Sequence, residues 1–146
     1  MKLITIKYKN SNEFTTEWAR KSMALFVAAM IDPQTAKSDH FPYPPMIGDD
    51  YYWVLEGGNN WTLRFNRKDA SEMTIIHRNG NVGLKALASW VAFRSCGVVS
   101  EATDALSDKI VDRMAMAEYA EDVPVRYIRM MAAEIKDWRE KAKNDG

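Results

Sequence analysis

Residues 51–80 read YYWVLEGGNNWTLRFNRKDASEMTIIHRNG, a segment with three short apolar stretches separated by turn residues. The first two, residues 51–56 and 61–66, flank Gly57-Gly58-Asn59-Asn60, whose residue types favour a β-hairpin. The third, residues 72–78, follows a polar turn. Apolar and polar side chains alternate along these stretches, as in a half-buried strand. The pattern predicts an antiparallel three-strand meander with one covered and one partly solvated face.

The residues before the meander predict a strand, a helix and a loop. Residues 2–9 alternate and predict an edge strand. Residues 13–30 carry apolar side chains at helical spacing, and Asp32-Pro33 ends this helix. Residues 32–49 hold four of the five prolines. We expect a long loop there, and long loops in compact domains are often functional.

Three helices are predicted after the meander, over residues 82–96, 101–119 and 124–143. The last of them has an apolar seam made of Ile128, Met131, Ile135 and Trp138. Gly97 has the residue type of a helix C-cap, and Ser100 that of an N-cap. We therefore expect one globular α+β domain over residues 1–146. In chain order it has a strand, a helix and a three-strand meander, whose strands form a small antiparallel sheet, and then three helices.

The composition is that of an ordinary globular protein, with 47% hydrophobic and 27% charged residues. Lys and Arg together number 20, as do Asp and Glu, so no overall field steers the protein to nucleic acid or membrane. The single cysteine fits a reducing compartment, and we expect a cytoplasmic protein. No apolar stretch approaches the ~20 residues that span a bilayer, so no membrane partner is expected.

The residue pattern contains no signature of catalysis, metal binding or cofactor binding. Cys96 lies far in sequence from His40 and His77, whereas a reactive thiol needs a basic or positively charged neighbour. Asp39-His40 and Asp49-Asp50 lack the spacing of a metal site and are ordinary turn residues. We therefore expect a protein that is not an enzyme and that needs no metal or cofactor.

Charge is sorted along the chain. Residues 57–94 carry six basic and two acidic side chains, a net of +4, and residues 101–122 carry seven acidic and two basic ones, a net of −5. Asp104, Asp108 and Asp112 form one row at i, i+4 and i+8 of the predicted helix. Like charges at this spacing cost roughly 0.2–0.5 kcal/mol per pair. Such a row favours a basic neighbour, either the Arg64/Arg78 surface of the same molecule or a partner.

These observations predict a non-catalytic protein that binds a macromolecule, and the first expectation is that this partner is another protein. The recognition residues are expected to be Arg64, Arg78, Asp104, Asp108 and Asp112, with Tyr52 and Trp138 as aromatic anchors. Tyr51, Tyr52 and Trp53 are consecutive, so alternation is expected to leave an aromatic ring outside the core. A homodimer through the C-terminal helices, and an inhibitory or accessory role for a phage or mobile element, are further hypotheses.

RNA binding is an alternative prediction. The order helix, three-strand meander, helix resembles that of the double-stranded-RNA-binding domain, and residues 79–88, NGNVGLKALA, resemble its glycine turn into an alanine-rich helix. The resemblance implies RNA binding, but Lys85 alone stands where that family has a lysine cluster, so we do not assign the family. The surface expected to bind RNA is a sheet face with Arg64, Arg78 and Tyr52, next to the turn residues Arg67 and Lys68.

The third hypothesis is a protein that binds a small ligand such as a nucleotide, either as a binding protein or as an enzyme. The ligand would lie under the proline-rich residues 32–49 and contact His40, Tyr43, Trp53 and Arg64.

Overall fold

The computed structural model describes residues 2–9, 16–31, 44–55, 61–69, 71–77, 83–100, 106–118 and 123–145. In chain order its elements are β1 (Lys2–Tyr8), α1 (Glu17–Ile31), β2 (Met46–Ile47), β3 (Asp50–Leu55), β4 (Trp61–Asn66), β5 (Glu72–His77), α2 (Leu84–Arg94), β6 (Gly97–Ser100), α3 (Asp108–Ala115) and α4 (Val123–Asp145). The mixed α+β class is confirmed, as is the antiparallel sheet.

The strands form one six-stranded sheet in the order β2-β3-β4-β5-β1-β6, with every neighbouring pair antiparallel. The predicted meander β3-β4-β5 forms its centre, and Leu63 of β4 lies opposite both Trp53 and Ile75. The first strand lies between β5 and β6, so the prediction that it is an edge strand is wrong, and its Ile4 faces Ile75 across the ladder. Cross-strand pairs of large apolar residues therefore hold the register.

The first face of the sheet packs against α1 and α2. Its strands contribute Ile6, Tyr8, Tyr51, Trp53, Leu55, Trp61, Leu63, Phe65, Met73 and Ile75 to a buried cluster. The helices contribute smaller side chains, including Ala24, Val27 and Ala28 of α1 and Ala88, Val91 and Ala92 of α2. Small helix residues allow the two helices to lie close to the bulky sheet.

The second face packs against α3 and α4, which corrects the prediction that it is partly solvated. Tyr52 and Ile76 of the sheet join a second cluster with Met114 of α3 and with Ile128 and Ile135 of α4. The α4 residues are those of the predicted apolar seam. Ile128, Met131 and Ile135 of this seam are buried in the second cluster and Trp138 is half-buried, while a homodimer through the C-terminal helices stays a prediction.

Two short strands were missed by the sequence analysis. Met46 and Ile47, placed in the loop 32–49, form β2 at one edge of the sheet. Gly97 and Ser100, interpreted as helix caps, are the ends of β6 at the other edge. The left-handed residue after α2 is Cys96, with φ 61°.

The helix predicted over residues 101–119 is shorter than expected. It begins at Asp108, and its N-cap is Ser107, whose hydroxyl accepts a hydrogen bond of 3.2 Å from the amide of Ile110. Ser100 is therefore not its cap. Among the described residues, no helix has the length and apolar character needed to cross a bilayer.

We expect Gly97→Ala to destabilise the protein by about 1–3 kcal/mol, because overpacking forces the surrounding structure to shift. An added Cβ would lie 2.5 Å from Cγ2 of Ile6 and 2.9 Å from Cε1 of Tyr8, both on the neighbouring strand β1. Urea unfolding measures the change. Gly83→Ala is the matched control, because Gly83 is exposed with φ −75° and should tolerate alanine. Equal effects of the two substitutions would contradict this packing.

Candidate functional site

Arg64 and Tyr52, predicted as exposed recognition residues, are buried under α3 and α4. Arg64 is 5% exposed, and its Nη2 lies 2.7 Å from Oδ1 of Asp50. Its guanidinium also hydrogen-bonds Tyr52, whose pKa is raised by burial and then by the negative charge of Asp50. The prediction that both residues face solvent is therefore wrong. The prediction that one ring of residues 51–53 lies outside the core is also wrong, because Tyr51 and Trp53 are buried as well.

The buried Asp50–Arg64 pair holds the turn that joins β2 to β3. Asp50 is the first residue of β3, and its Oδ1 also accepts a hydrogen bond of 3.0 Å from Nδ2 of Asn66. The Tyr52 amide donates to the Pro45 carbonyl at 3.0 Å. Gly48 adopts φ +64°, a backbone conformation that favours glycine. Residues 45–50 are thus a constrained turn at the edge of the sheet.

The aspartate row is paired with α4 and not with Arg64. Oδ1 of Asp108 lies 2.8 Å from Nη1 of Arg139, and Oδ1 of Asp112 lies 2.9 Å from Nζ of Lys136. The basic neighbours of Asp108 and Asp112 therefore lie in the same molecule. Repulsion between the two aspartates is no longer a reason to expect a partner protein there. Asp104 and Arg78 lie outside the described residues.

Trp138, the second predicted anchor, lies half-buried against the α3–α4 cluster. It lines an open hollow of about 460 Å³ together with Leu106, Asp108 and Arg139. The structure thus brings Trp138 and Asp108 together, although Arg139 already engages the aspartate. This hollow offers a partner few unpaired groups.

A larger groove of about 940 Å³ lies between the β2–β3 turn and α3. Residues 45–48 form one side, and Lys109, Asp112, Arg113 and Met116 line the other. The lining also includes Ala117, Glu118 and Val125. We call this the turn–α3 groove.

Apolar and cationic side chains share the turn–α3 groove. Met116 is 79% exposed, and Met46 opposite it on β2 is exposed as well. Arg113 lies across the turn, with Nη1 3.1 Å from the position a Cβ at Gly48 would occupy. Asp112 is engaged by Lys136, and among the described lining residues the other acid that shares the groove with the cations Lys109 and Arg113 is Glu118.

The arrangement does not support the ligand site predicted from Trp53 and Arg64. Trp53 belongs to the cluster on the first face, whereas Arg64 lies on the second, so the sheet separates them. His40 and Tyr43 lie outside the described residues. Within the described part of the chain, no cluster of three or more His, Cys, Asp or Glu side chains could hold a metal ion.

The groove residues Lys109, Arg113 and Met116 were not singled out by the sequence analysis. Their spacing of i, i+4 and i+7 places them on one helix face beside the aspartate row. That spacing is visible in the sequence, but the turn opposite it is not.

Comparison of the chain with models of protein families, with curated proteins and with solved structures finds no match.

Asp50→Ala is expected to destabilise the protein by roughly 3–5 kcal/mol, because it leaves the Arg64 charge buried without its partner. Asp112→Ala is the control, since its exposed pair with Lys136 should contribute less than about 1 kcal/mol. Urea unfolding of both variants tests the contrast. Asp50→Ala combined with Arg64→Met should recover part of the loss. A loss for Asp50→Ala as small as that for Asp112→Ala would refute the buried pair.

Proposed function

We propose that the protein is a non-catalytic binding protein whose turn–α3 groove recognises a segment of another protein. The observation that carries this proposal is the pairing of exposed methionines with two cations in one groove of about 940 Å³. The partner segment would present an apolar side chain next to a carboxylate.

The apolar half of the proposed contact comes from Met46 and Met116. They approach the groove from opposite sides, one on β2 and the other at the end of α3. Methionine is flexible and polarizable, and it is common on surfaces that bind peptides. An apolar side chain that enters between the two methionines would bury part of the Met116 surface that is exposed to water.

The electrostatic half comes from Lys109 and Arg113. Both are exposed, and they lie one helical turn apart on α3. An arginine can hold a carboxylate by two parallel hydrogen bonds, and a nearby lysine adds a second positive charge. The constrained turn supports this recognition because Gly48 lets the Arg113 side chain lie close to the backbone.

The shape of the site favours a protein segment over a small ligand. Small-molecule sites usually enclose most of their ligand, whereas this groove is open along a helix and an edge strand. The RNA hypothesis depended on Arg64 in an exposed sheet face, and Arg64 is buried against Asp50. An inhibitory or accessory role and a cytoplasmic location stay predictions.

Selection from a displayed random-peptide library tests the proposal. The wild-type protein should enrich peptides that pair an acidic residue with an apolar one. Lys109→Glu combined with Arg113→Glu should weaken a selected peptide roughly tenfold or more, which corresponds to about 1.4 kcal/mol, because the charges then repel. Fluorescence anisotropy of the labelled peptide gives the affinity, and higher salt should weaken binding to the wild type.

Lys143→Glu is the matched control, since Lys143 is exposed on α4 and does not line the groove. Met116→Glu should also weaken binding, whereas Lys143→Glu should not. The proposal fails if the library enriches no acidic–apolar peptides, or if all these variants bind the selected peptide equally well. Stronger binding of a nucleotide or RNA to the same groove would contradict it too.

A further inference from the structure

The outer faces of α1 and α2 carry large apolar side chains. On α2, Trp90 and Phe93 point away from the sheet and are 49% and 81% exposed. On α1, Leu25 and Phe26 are 39% and 44% exposed. Both helices lie on the first face of the sheet and pack beside each other, so their outer faces point to the same side of the molecule. We call Leu25, Phe26, Trp90 and Phe93 the outer apolar patch.

The outer apolar patch is large for a surface that meets only water. An aromatic side chain has roughly 150–250 Å² of surface, so the exposed fractions of Trp90 and Phe93 alone amount to about 250 Å². Leu25 and Phe26 add to this area on the neighbouring helix. Apolar patches of a few hundred Å² typically mark a site that binds another protein or a membrane. The patch therefore indicates a binding surface.

Basic side chains border the patch on both sides of α2. Ala86, Trp90 and Phe93 form an exposed stripe along the helix, at the spacing i, i+4 and i+7. Lys85 and Arg94 are exposed as well. They lie about two and a half helical turns apart, so they flank the stripe from opposite sides. The outer face of α2 is thus an aromatic stripe between two cations.

The charges of this helical layer differ from those of the layer on the second face. Residues 18–31 of α1 and the whole of α2, residues 84–94, contain four Lys or Arg and no Asp or Glu. Helix α4 on the second face carries both signs, and its Lys141 pairs with Asp137 at 3.1 Å. Cations without acids, next to exposed aromatic rings, complement a partner that is both anionic and apolar.

We propose that the outer faces of α1 and α2 bind the surface of a bilayer that contains anionic lipids. Trp90 and Phe93 would enter the boundary between headgroups and acyl chains, where amphipathic helices of this composition lie and where tryptophan is enriched. Lys85 and Arg94 would extend to lipid phosphates on either side of the stripe. Helix α2 would lie in the plane of the membrane surface without crossing the bilayer.

A bilayer surface fits the patch better than a protein segment does. The patch lies on the outer sides of two neighbouring helices, so a broad, flat partner contacts both at once. Cations on both flanks of the stripe match a surface that is anionic in every direction, whereas one acidic segment would face one flank.

The bilayer site is separate from the turn–α3 groove. The groove is lined by α3, which covers the second face of the sheet, whereas α1 and α2 cover the first face. A bound bilayer therefore leaves the groove open, and this proposal is independent of the proposed function.

Co-sedimentation of the full chain with lipid vesicles, in the presence of a reductant because Cys96 is exposed, tests this proposal. Vesicles of phosphatidylcholine with about 30% phosphatidylserine should bind the protein roughly tenfold more tightly than phosphatidylcholine alone, because anionic lipids attract basic side chains. Phe93→Ser should weaken binding to the anionic vesicles at least tenfold, and Arg94→Glu should remove most of the preference for phosphatidylserine. Met116→Ser is the matched control and should bind like the wild type, since Met116 is 79% exposed but lies at the end of α3, on the other side of the sheet.

Quenching of tryptophan fluorescence by lipids brominated in their acyl chains gives a second measurement. Trp90→Phe should keep vesicle binding but lose a large part of the quenching, because Trp90 is the ring that enters the bilayer. Circular dichroism establishes that each variant is folded.

A wild type that does not sediment with the anionic vesicles at low salt overturns the proposal. So does equal binding by Phe93→Ser, a loss of binding in Met116→Ser, or a wild type whose self-association through the patch excludes lipid. Peptide binding at the groove should be unchanged in Phe93→Ser and Arg94→Glu, so failure of either proposal leaves the other intact.

Discussion

The sheet carries large side chains on both faces, and this makes a helical layer on each side obligatory. On the first face the aromatic residues of β3 and β4 pack against the small side chains of α1 and α2. On the second, Tyr52 and Arg64 lie under α3 and α4, and Arg64 is tolerated there because Asp50 neutralises it. A buried charge without such a partner would cost several kcal/mol. The faces of the sheet are therefore occupied by its own helices, and the groove proposed for recognition lies beside the edge strand β2.

The strongest sequence-based predictions were those that depend on local periodicity. Alternation of side chains located the central meander, with the strand Trp61–Asn66 at the expected bounds. The apolar spacing of Ile128, Met131 and Ile135 located the last helix and its buried side. Periods of two and 3.6 residues are properties of the local chain and can be detected without knowing the fold.

Local patterns could not show what covers each face. Tyr52, Arg64, Thr74 and Thr5 form a row across neighbouring strands, and such polar types predict a solvated face. The structure buries the row, and the Thr5 and Thr74 hydroxyls have no hydrogen-bond partner among the described residues. Strand β6 was missed for a related reason, since its conformation follows from pairing with β1 at the other end of the sequence.

In the candidate site, too, local spacing could be predicted from the sequence and tertiary contacts could not. The aspartate row predicted a basic neighbour, and α4 supplies one through Arg139 and Lys136. The sequence did not indicate α4 as the element that supplies these basic side chains, because the packing of α4 against α3 is a tertiary contact. The helix face with Lys109 and Arg113 could have been found by spacing alone. Its role as a groove wall depends on the turn at residues 45–48, which only the fold brings near.

We propose that recognition occurs beside the covered sheet and not on its face. Backbone amide chemical shifts, recorded as a selected acidic–apolar peptide is added, test it most directly. The largest changes should fall at Met46–Gly48 and Lys109–Ala117, with Trp61–Asn66 little affected. Changes centred on Trp61–Asn66 or Glu72–His77, with none in the groove, would contradict it.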